Sequence, residues 1–326
     1  MTTSLLATDY SRPIQPLFEQ GPRAGTIHSV FRKAVNIVTS DDTMLAVLSN
    51  ELPRMPNSVR LTPIMAEKLL RHLRPGLEIW IGDGRLLIPV YGLAVHLPET
   101  SPWEPRPEIT AYHWGHETVA QHVRLLAYHL AEQQHRGGFA PLLEPLLLGQ
   151  PAAETPLSLM ALPMLRLLAQ ASWLQDIAGV EEAARRLAGL GPGLTPAGDD
   201  ALAGFAAVMK LLSPQLSVDS ASRDHIAVAI ASVARPRTTA LSAVLLAHAA
   251  RGEVAEQVGD FLLSLALPVE ASKAVLHAAD RVLAFGSSSG GDTLLGMLLG
   301  LRALDGEIDK GGYYGHTGAA QAKYVL

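Results

Sequence analysis

Three aspartates, each set just behind glycine, are the residues of this sequence best placed to do chemistry. Two lie in Gly189-Leu190-Gly191-Pro192-Gly193-Leu194-Thr195-Pro196-Ala197-Gly198-Asp199-Asp200, which runs on to Gly204. The third lies in Gly286-Ser287-Ser288-Ser289-Gly290-Gly291-Asp292-Thr293, which runs on to Gly296. When Asp292 is set against Asp200, Thr195 falls on Ser287, Gly198 on Gly290 and Gly204 on Gly296. Segments with so little side-chain bulk leave backbone N–H groups open, and a helix that begins there attracts anions through its unpaired donors and its dipole. The glycine four residues beyond each aspartate shares its helix face, where another backbone can come close. The repetition suggests a pseudo-symmetric pair of helix starts converging on one cleft.

Neither segment is a standard nucleotide loop. The first is preceded by VEEAARRLA (180–188), a helical pattern rather than a strand, so the dinucleotide-binding context is missing. No Gly-Lys-Ser/Thr follows, which excludes a P-loop. The candidate anion-binding groups are the backbone of Gly191, Gly193, Leu194, Thr195 and Gly198 in the first segment and of Ser287, Ser288, Ser289, Gly290 and Gly291 in the second. Carboxylates beside a bound phosphate repel it unless a cation intervenes or they face away. Asp199, Asp200 and Asp292, the candidate catalytic residues, are therefore either Mg²⁺ ligands, directly or through water, or caps that order the loops. A third element lies between the two segments. Arg235 and Arg237 could grip a carboxylate or phosphate with forked donors, and Thr238 and Ser242 lie one helical turn apart at the start of the helix that follows.

Other groups offer less. His113, His116, His122, His129 and His135 crowd one stretch, but HWGHE is not the zincin spacing and no carboxylate ligand accompanies it; a surface helix carrying several histidines is the expectation. No Gly-x-Ser-x-Gly elbow marks a serine nucleophile. Ser287–Ser289 have no base nearby in sequence, although a distant histidine such as His248 remains open. Asp41-Asp42 reads as a turn.

The elements that must position these groups fall into two kinds. From about Gly25 to Leu97 the pattern is mainly strands: Ala34–Thr39 and Met44–Ser49 flank Ser40–Thr43, and Leu77–Ile81 and Leu86–Val90 flank Gly82-Asp83-Gly84, a tight hairpin turn. Pro63–Leu73 between them has helical spacing behind Thr62, a fair N-cap. Four prolines between Pro98 and Pro107 mark a boundary. Beyond it helices are expected over His116–Gln134, Pro156–Trp173, Val180–Ala188, Asp199–Leu212, Ala221–Ala234, Thr238–Arg251, Val254–Leu265, Val269–Ala284 and Gly291–Leu304, those apolar all round being buried. Residues 311–326 read as a glycine-rich loop or tail. The fold class is α+β: a smaller β-rich domain over residues 1–105, then a mostly helical domain over 106–326 carrying the glycine loops.

Bulk properties bound the partners. At 326 residues, with 48% hydrophobic and 17% charged residues, the chain can bury a sizeable core. A net charge of −5 and only 5% aromatics argue against nucleic acid. The absence of cysteine excludes disulfides and thiolate sites. No apolar run approaches the ~20 residues that span a bilayer, and the first fifteen residues lack a signal-peptide pattern. The expectation is a cytoplasmic protein acting on a small anion, with no membrane partner.

GLGPGLTPAGDDALAG, RTTALSAVLLAHAARGE and GSSSGGDTLLG, in that order over about residues 180–302, resemble the AllH-like family; HSVFRKAVNIV (28–38) extends the likeness more weakly. Named members are a subunit of the oxamate carbamoyltransferase of allantoin catabolism, a branch of purine degradation. The resemblance implies exchange of oxalurate and phosphate with oxamate and carbamoyl phosphate. It further implies that the loops 193–200 and 287–292 hold phosphate or carbamoyl phosphate, that Arg235 or Arg237 holds the oxamate carboxylate, and that other subunits are needed. Gly198-Asp199-Asp200 and Gly290-Gly291-Asp292-Thr293 are more loosely similar to the Mg²⁺ motifs of the ADP-ribosylglycohydrolases, which usually place a further Asp where Leu294 stands. Three readings follow: a carbamoyl-transfer enzyme or subunit, a Mg²⁺-dependent helical hydrolase of an N-linked small molecule, and a non-catalytic scaffold or ligand sensor.

Overall fold

The computed structural model describes residues 3–132, 137–151, 155–216 and 220–305; His135 and the tail over 311–326 lie outside the described residues. The chain forms two compact units. One comprises the residues up to Glu108 together with Gly252–Asp260, and the other comprises Ile109–Arg251 with the residues from Phe261 on.

The first unit is built on one sheet. Its strands are β1 (Thr3–Leu6), β2 (Asp9–Tyr10), β3 (Arg23–Val30), β4 (Ala34–Thr39), β5 (Met44–Ser49), β6 (Ser58–Leu61), β7 (Glu78–Gly82), β8 (Arg85–Ile88) and β9 (Leu93–His96). They are ordered β1-β9-β8-β7-β3-β4-β5-β6-β2. The two ends of that order are consecutive in sequence. Ala7 N–H donates to His96 O at 2.9 Å and Thr8 N–H to Arg60 O at 2.8 Å, so a two-residue step carries the chain from one edge to the other. The sheet thus curls until one stretch of chain covers both edges, which removes the open ladders that invite edge-to-edge association. Phe18, Ile27, Val35, Ile37, Leu45, Leu61, Ile79 and Ile81 are buried in its core, each contributing about 1.5–3 kcal/mol by leaving water.

Local signals act here as their chemistry dictates. Asp83 and Gly84 take φ of 49° and 74° between the paired Gly82 and Arg85, the two-residue primed turn that matches strand twist. Asp42, with φ of 61°, turns the chain between β4 and β5. Asp41 beside it holds Arg23 at 2.7 Å. Thr62 accepts from Met65 N–H and caps α2 (Pro63–Leu70); α1 (Gln15–Glu19) is a single turn against the sheet.

One buried charge fixes the strand that closes the sheet. Arg60 is 8% exposed and forks onto Asp9, Nε to Oδ1 at 2.9 Å and Nη2 to Oδ2 at 2.7 Å. Its Nη1 reaches Leu52 O at 3.0 Å. Removing the partly buried Asp9 strands the buried Arg60 charge. Asp9→Ala is expected to destabilise the protein by about 3–5 kcal/mol, read as a lower midpoint in urea denaturation. Arg54 continues the cluster: it lies 3.6 Å from Asp9 and donates to Glu256 at 2.5 Å, while Val254 N–H reaches Pro105 O at 3.0 Å.

The second unit is helical. It contains α3 (His116–Glu132), α4 (Leu143–Leu147), α5 (Pro156–Trp173), α6 (Ile177–Leu187), α7 (Ala197–Leu216), α8 (Ser220–Ala234), α9 (Ala240–Ala250), α11 (Ser272–Leu283) and α12 (Ser289–Asp305), while α10 (Glu256–Ser264) starts in the segment that belongs to the first unit and ends in the second. The sequence pattern places α5 correctly, where Thr155 and Ser158 form a reciprocal cap. α6 starts three residues before the expected Val180, because Asp176 caps it by accepting from Gly179 N–H at 3.1 Å. α7 is the axis of the unit, and most of its side chains are buried. α9, although apolar all round, is buried only at Ser242, Leu246 and His248–Ala250. No helix among the described residues is long and apolar enough to cross a membrane.

Candidate active site

The site begins where two helices touch through glycine. At Gly204 in α7 an added Cβ would lie 2.1 Å from Thr293 O, and at Gly296 in α12 it would lie 1.9 Å from Ala201 O. No side chain fits at either point, so α7 and α12 meet backbone to backbone. Asp200 and Asp292 each stand one turn before these glycines on the same face. The crossing therefore sets them beside each other at the N-terminal ends of the two helices.

The matched sequences have matched geometry. Gly198 N–H donates to Leu190 O at 2.9 Å, and Leu190 N–H donates to Leu187 O at 3.0 Å. In the second segment Gly290 N–H donates to Phe285 O and Phe285 N–H to Val282 O, both at 3.0 Å. An added Cβ on Gly198 or Gly290 would strike Leu187 O or Val282 O, each 2.0 Å away. Each unit of the pair is thus a helix (α6 or α11), a glycine turn and a second helix packed against the end of the first. Gly189 and Gly286 supply the left-handed turns, with φ of 75° and 67°. The two tips touch: Thr195 Oγ1 and Ser289 Oγ are 3.1 Å apart. Gly193, Leu194 and Ser287 are exposed, whereas Gly198, Asp199, Asp200, Gly290 and Asp292 lie buried beneath.

The three aspartates play different parts. Asp199 spends both oxygens locally: Oδ1 accepts from Gly189 N–H at 2.8 Å and Oδ2 from the Thr238 hydroxyl. It ties the first turn shut. Asp200 is 8% exposed, and its Oδ2 has no hydrogen-bond partner among the described residues. Burial pushes its carboxyl up to about 8, aided by the charges of Asp292 and Asp199 and opposed by the hydroxyls of Ser289 and Thr195. Asp292 is 1% exposed. Burial raises it to about 6, restrained by Phe139 N–H and the Ser288 hydroxyl. Its Oδ1 accepts from Phe139 N–H at 2.6 Å, and its Oδ2 also lacks a partner among the described residues. Burial thus favours the protonated form of both carboxyls, more strongly at Asp200 than at Asp292, where the backbone donor opposes it.

The third element supports the first turn. Thr238 lies before the helix rather than in it, with extended backbone, so it does not share a helix face with Ser242 as the spacing suggests. Thr239 is the true cap of α9, accepting from Ser242 N–H at 3.1 Å, and its hydroxyl donates to Leu194 O at 2.6 Å. Ser242 is buried and reaches the same carbonyl at 3.4 Å. Arg235 and Arg237 are exposed in a 3₁₀ turn, and neither pairs with a carboxylate among the described residues. Arg237 O faces Gly189, 2.5 Å from where a Cβ would stand.

One contributor escaped the sequence reading. Gly137 and Gly138, with φ of 86° and 52°, bring Phe139 N–H onto Asp292. A Cβ on Gly138 would lie 2.2 Å from the Asp292 carboxylate. Two adjacent glycines closing a helix pattern were the available signal. The histidine cluster needs one correction: His122 is fully buried on the inner face of α3, its Nδ1 3.3 Å from Leu265 O, and burial lowers its pKa. His129 pairs with Asp280 at 2.8 Å. His248 lies against the Arg251 guanidinium at 2.9 Å. Among the described residues no group of three or more His, Asp or Glu side chains is placed to hold a metal ion. Leu294, at the position where the ADP-ribosylglycohydrolases carry a carboxylate, is fully buried.

Fold and site together define an α+β protein whose helical unit pairs two glycine-led helix starts over buried carboxylates. Residues 187–301 match the family described as oxamate carbamoyltransferase subunit AllH, and residues 6–102 match the AllH family N-terminal domain. The chain belongs to the AllH family and is a carbamoyltransferase-related subunit. No solved structure matches it.

Proposed function

We propose that the chain supplies the anion-holding half of a carbamoyl-transfer site, with carbamoyl phosphate or its phosphate seated over the crossed starts of α7 and α12. In the reaction the family name implies, a phosphate oxygen bonds to the carbamoyl carbon of oxalurate as the bond from that carbon to the oxamate nitrogen breaks. The proton lost by hydrogen phosphate ends on that nitrogen. Nothing else is consumed, so the protein's work is positioning and charge stabilisation.

The observation that carries this reading is the contact of the two matched tips. It puts two helix N-termini, the Thr195 and Ser289 hydroxyls and the open backbone around Gly193 and Ser287 in one place. Two dipole ends favour an anion more than one. The raised carboxyl of Asp200 eases the electrostatic objection in part, because a neutral carboxyl does not repel phosphate and can donate a hydrogen bond to it, and Asp199 is turned away onto Gly189 and Thr238. Arg235 and Arg237, exposed just beyond the Thr238 tie, are the candidate groups for the oxamate carboxylate. The word "subunit" in the family description supports assembly with other chains.

The test is carbamoyl phosphate formation from oxalurate and inorganic phosphate, with this chain alone and with candidate partner subunits. Activity that requires this chain and drops at least about 100-fold in Asp200→Asn is expected, a loss typical of removing a general acid. Absence of transfer in every combination overturns the reading. Magnesium enters as an arm of the same assay: an EDTA-treated enzyme that retains its rate assigns the carboxylates to proton and loop chemistry, and one restored only by Mg²⁺ assigns them to the metal.

A further inference from the structure

The paired turns are matched nearly bond for bond, yet their aspartates are not treated alike. Among the described residues Asp292 receives a backbone donor from a third segment and its counterpart Asp200 does not. Gly137 and Gly138 carry the backbone across the end of α12 in left-handed conformations. Phe139 N–H then reaches Asp292 Oδ1 at 2.6 Å. The fit is close: a Cβ at Gly138 would stand 2.2 and 2.4 Å from the two carboxylate oxygens, and one at Gly137 would stand 3.6 Å from Ser288 Cβ. Phe139 itself is fully buried, which anchors the turn. Asp200, the counterpart on α7, has hydroxyls for company in place of a backbone donor.

Resting on the carbamoyl-transfer reading, we propose that the Gly137-Gly138-Phe139 turn is a positioning element of the site, which holds Asp292 as the proton acceptor of the pair and leaves Asp200 as the donor. A backbone N–H can only donate, so it favours a carboxylate over a carboxylic acid. The titratable groups bearing on Asp200 are Asp292 from α12 and Asp199 from α7, both acidic. A charge held at Asp292 therefore keeps the proton on Asp200. The raised titration of both groups agrees in direction, Asp200 standing above Asp292. Each aspartate keeps one oxygen, Oδ2, without a partner among the described residues while more than nine-tenths buried. Buried polar atoms are seldom left so unless they have a further role. In transfer toward carbamoyl phosphate, Asp292 would take the proton of hydrogen phosphate as its oxygen bonds to carbon. Asp200 would give its proton to the departing nitrogen, and one proton passing from Asp292 to Asp200 restores the pair.

The experiment uses the full chain labelled with ¹³C in aspartate carboxyls and ¹⁵N in phenylalanine. Two carboxyl resonances titrating well above the ordinary range are expected, with the Phe139 amide following the lower of them. In Asp292→Asn the lower resonance and the amide titration disappear, and the Asp200 midpoint falls. In Gly138→Ala, where the added methyl displaces the carboxylate, the Asp292 midpoint rises by about one pH unit, the scale of one lost backbone bond. The acidic limb of the pH–rate profile moves with it. A Phe139 amide that ignores Asp292, or an Asp200 that titrates below Asp292, overturns the proposal; should Gly138→Ala not fold, the wild-type amide and Asp292→Asn decide alone. If the titrations come out as expected while no carbamoyl transfer is found in any combination, the charge assignment stands and the proposed reaction falls.

Discussion

Asp200→Asn is expected to make the protein more stable at pH 8 while removing its activity. A carboxyl whose folded pKa is raised to about 8 from an ordinary 3.8 binds its proton more tightly in the native state than in the unfolded chain. Below the unfolded pKa both states hold the proton and the group imposes no penalty. Between pH 4 and pH 8 the unfolded state releases the proton and the native state does not, so stability falls as pH rises through that window. The full difference, about four pH units at about 1.4 kcal/mol each, is on the order of 5 kcal/mol. Asparagine matches the shape without titrating. Thermal melts should therefore show the variant about 10 °C above the parent at pH 8, the gap closing toward pH 4. Asp292, raised to about 6, contributes in the same direction over a narrower window, from pH 4 to pH 6. A flat difference between parent and variant across pH 4–8 would show that the buried environment does not hold the proton. A gain in stability bought by losing function is the pattern expected of a group kept for chemistry.

Gly296→Ala should have the opposite sign, and the reason separates helix propensity from packing. Alanine in an exposed helix interior is worth about 1 kcal/mol over glycine. At Gly296 the new methyl carbon would lie 1.9 Å from Ala201 O and 2.9 Å from Ala201 Cα, both backbone atoms of α7. Neither can yield without prising the helices apart, so overpacking decides. A net loss of about 3 kcal/mol or more is expected, with soluble yield falling accordingly. Gly259→Ala in α10 is the control: its nearest neighbour would be Pro107 Cβ at 3.6 Å, an ordinary contact, so the propensity gain of about 0.5–1 kcal/mol should survive. If chemical denaturation ranks Gly296→Ala as stable as Gly259→Ala, the close crossing that brings the aspartates together is not present in solution.

Much of this arrangement could be read from residue order, and the boundary of legibility is physical. Repeated spacing of hydroxyl, glycine, aspartate and glycine encodes local turns followed by helices, and the match of Asp200 with Asp292 survives in three dimensions because both segments solve the same packing problem. Strands flanking Asp83-Gly84 were equally plain, since Asp-Gly is one of the few pairs that readily accept the backbone angles required. What stayed hidden depends on partners distant in sequence. Thr238 resembles a helix cap in its own neighbourhood, yet its hydroxyl is claimed by Asp199. Phe139 offers no side-chain clue, because its contribution to the site is a backbone N–H. The short β1 and β2 carry almost no pattern, and they form strands only because β9 and β6 offer them ladders. His122 looked like one of several surface histidines until the inner face of α3 was defined by what packs against it.

The return of Gly252–Asp260 to the first unit has a consequence for how the chain is made and altered. Because the polypeptide passes between its units at three points rather than one, a ribosome must deliver some 260 residues before Glu256 can meet Arg54. The sheet emerges first and waits for its last segment. A protease cut at any one passage leaves the others intact, and a gene fragment ending near residue 108 encodes a sheet without Glu256, the nearer of the two acidic partners of Arg54. Neither half can readily be lost, borrowed or exchanged as a cassette, which favours inheritance of the two as a single piece.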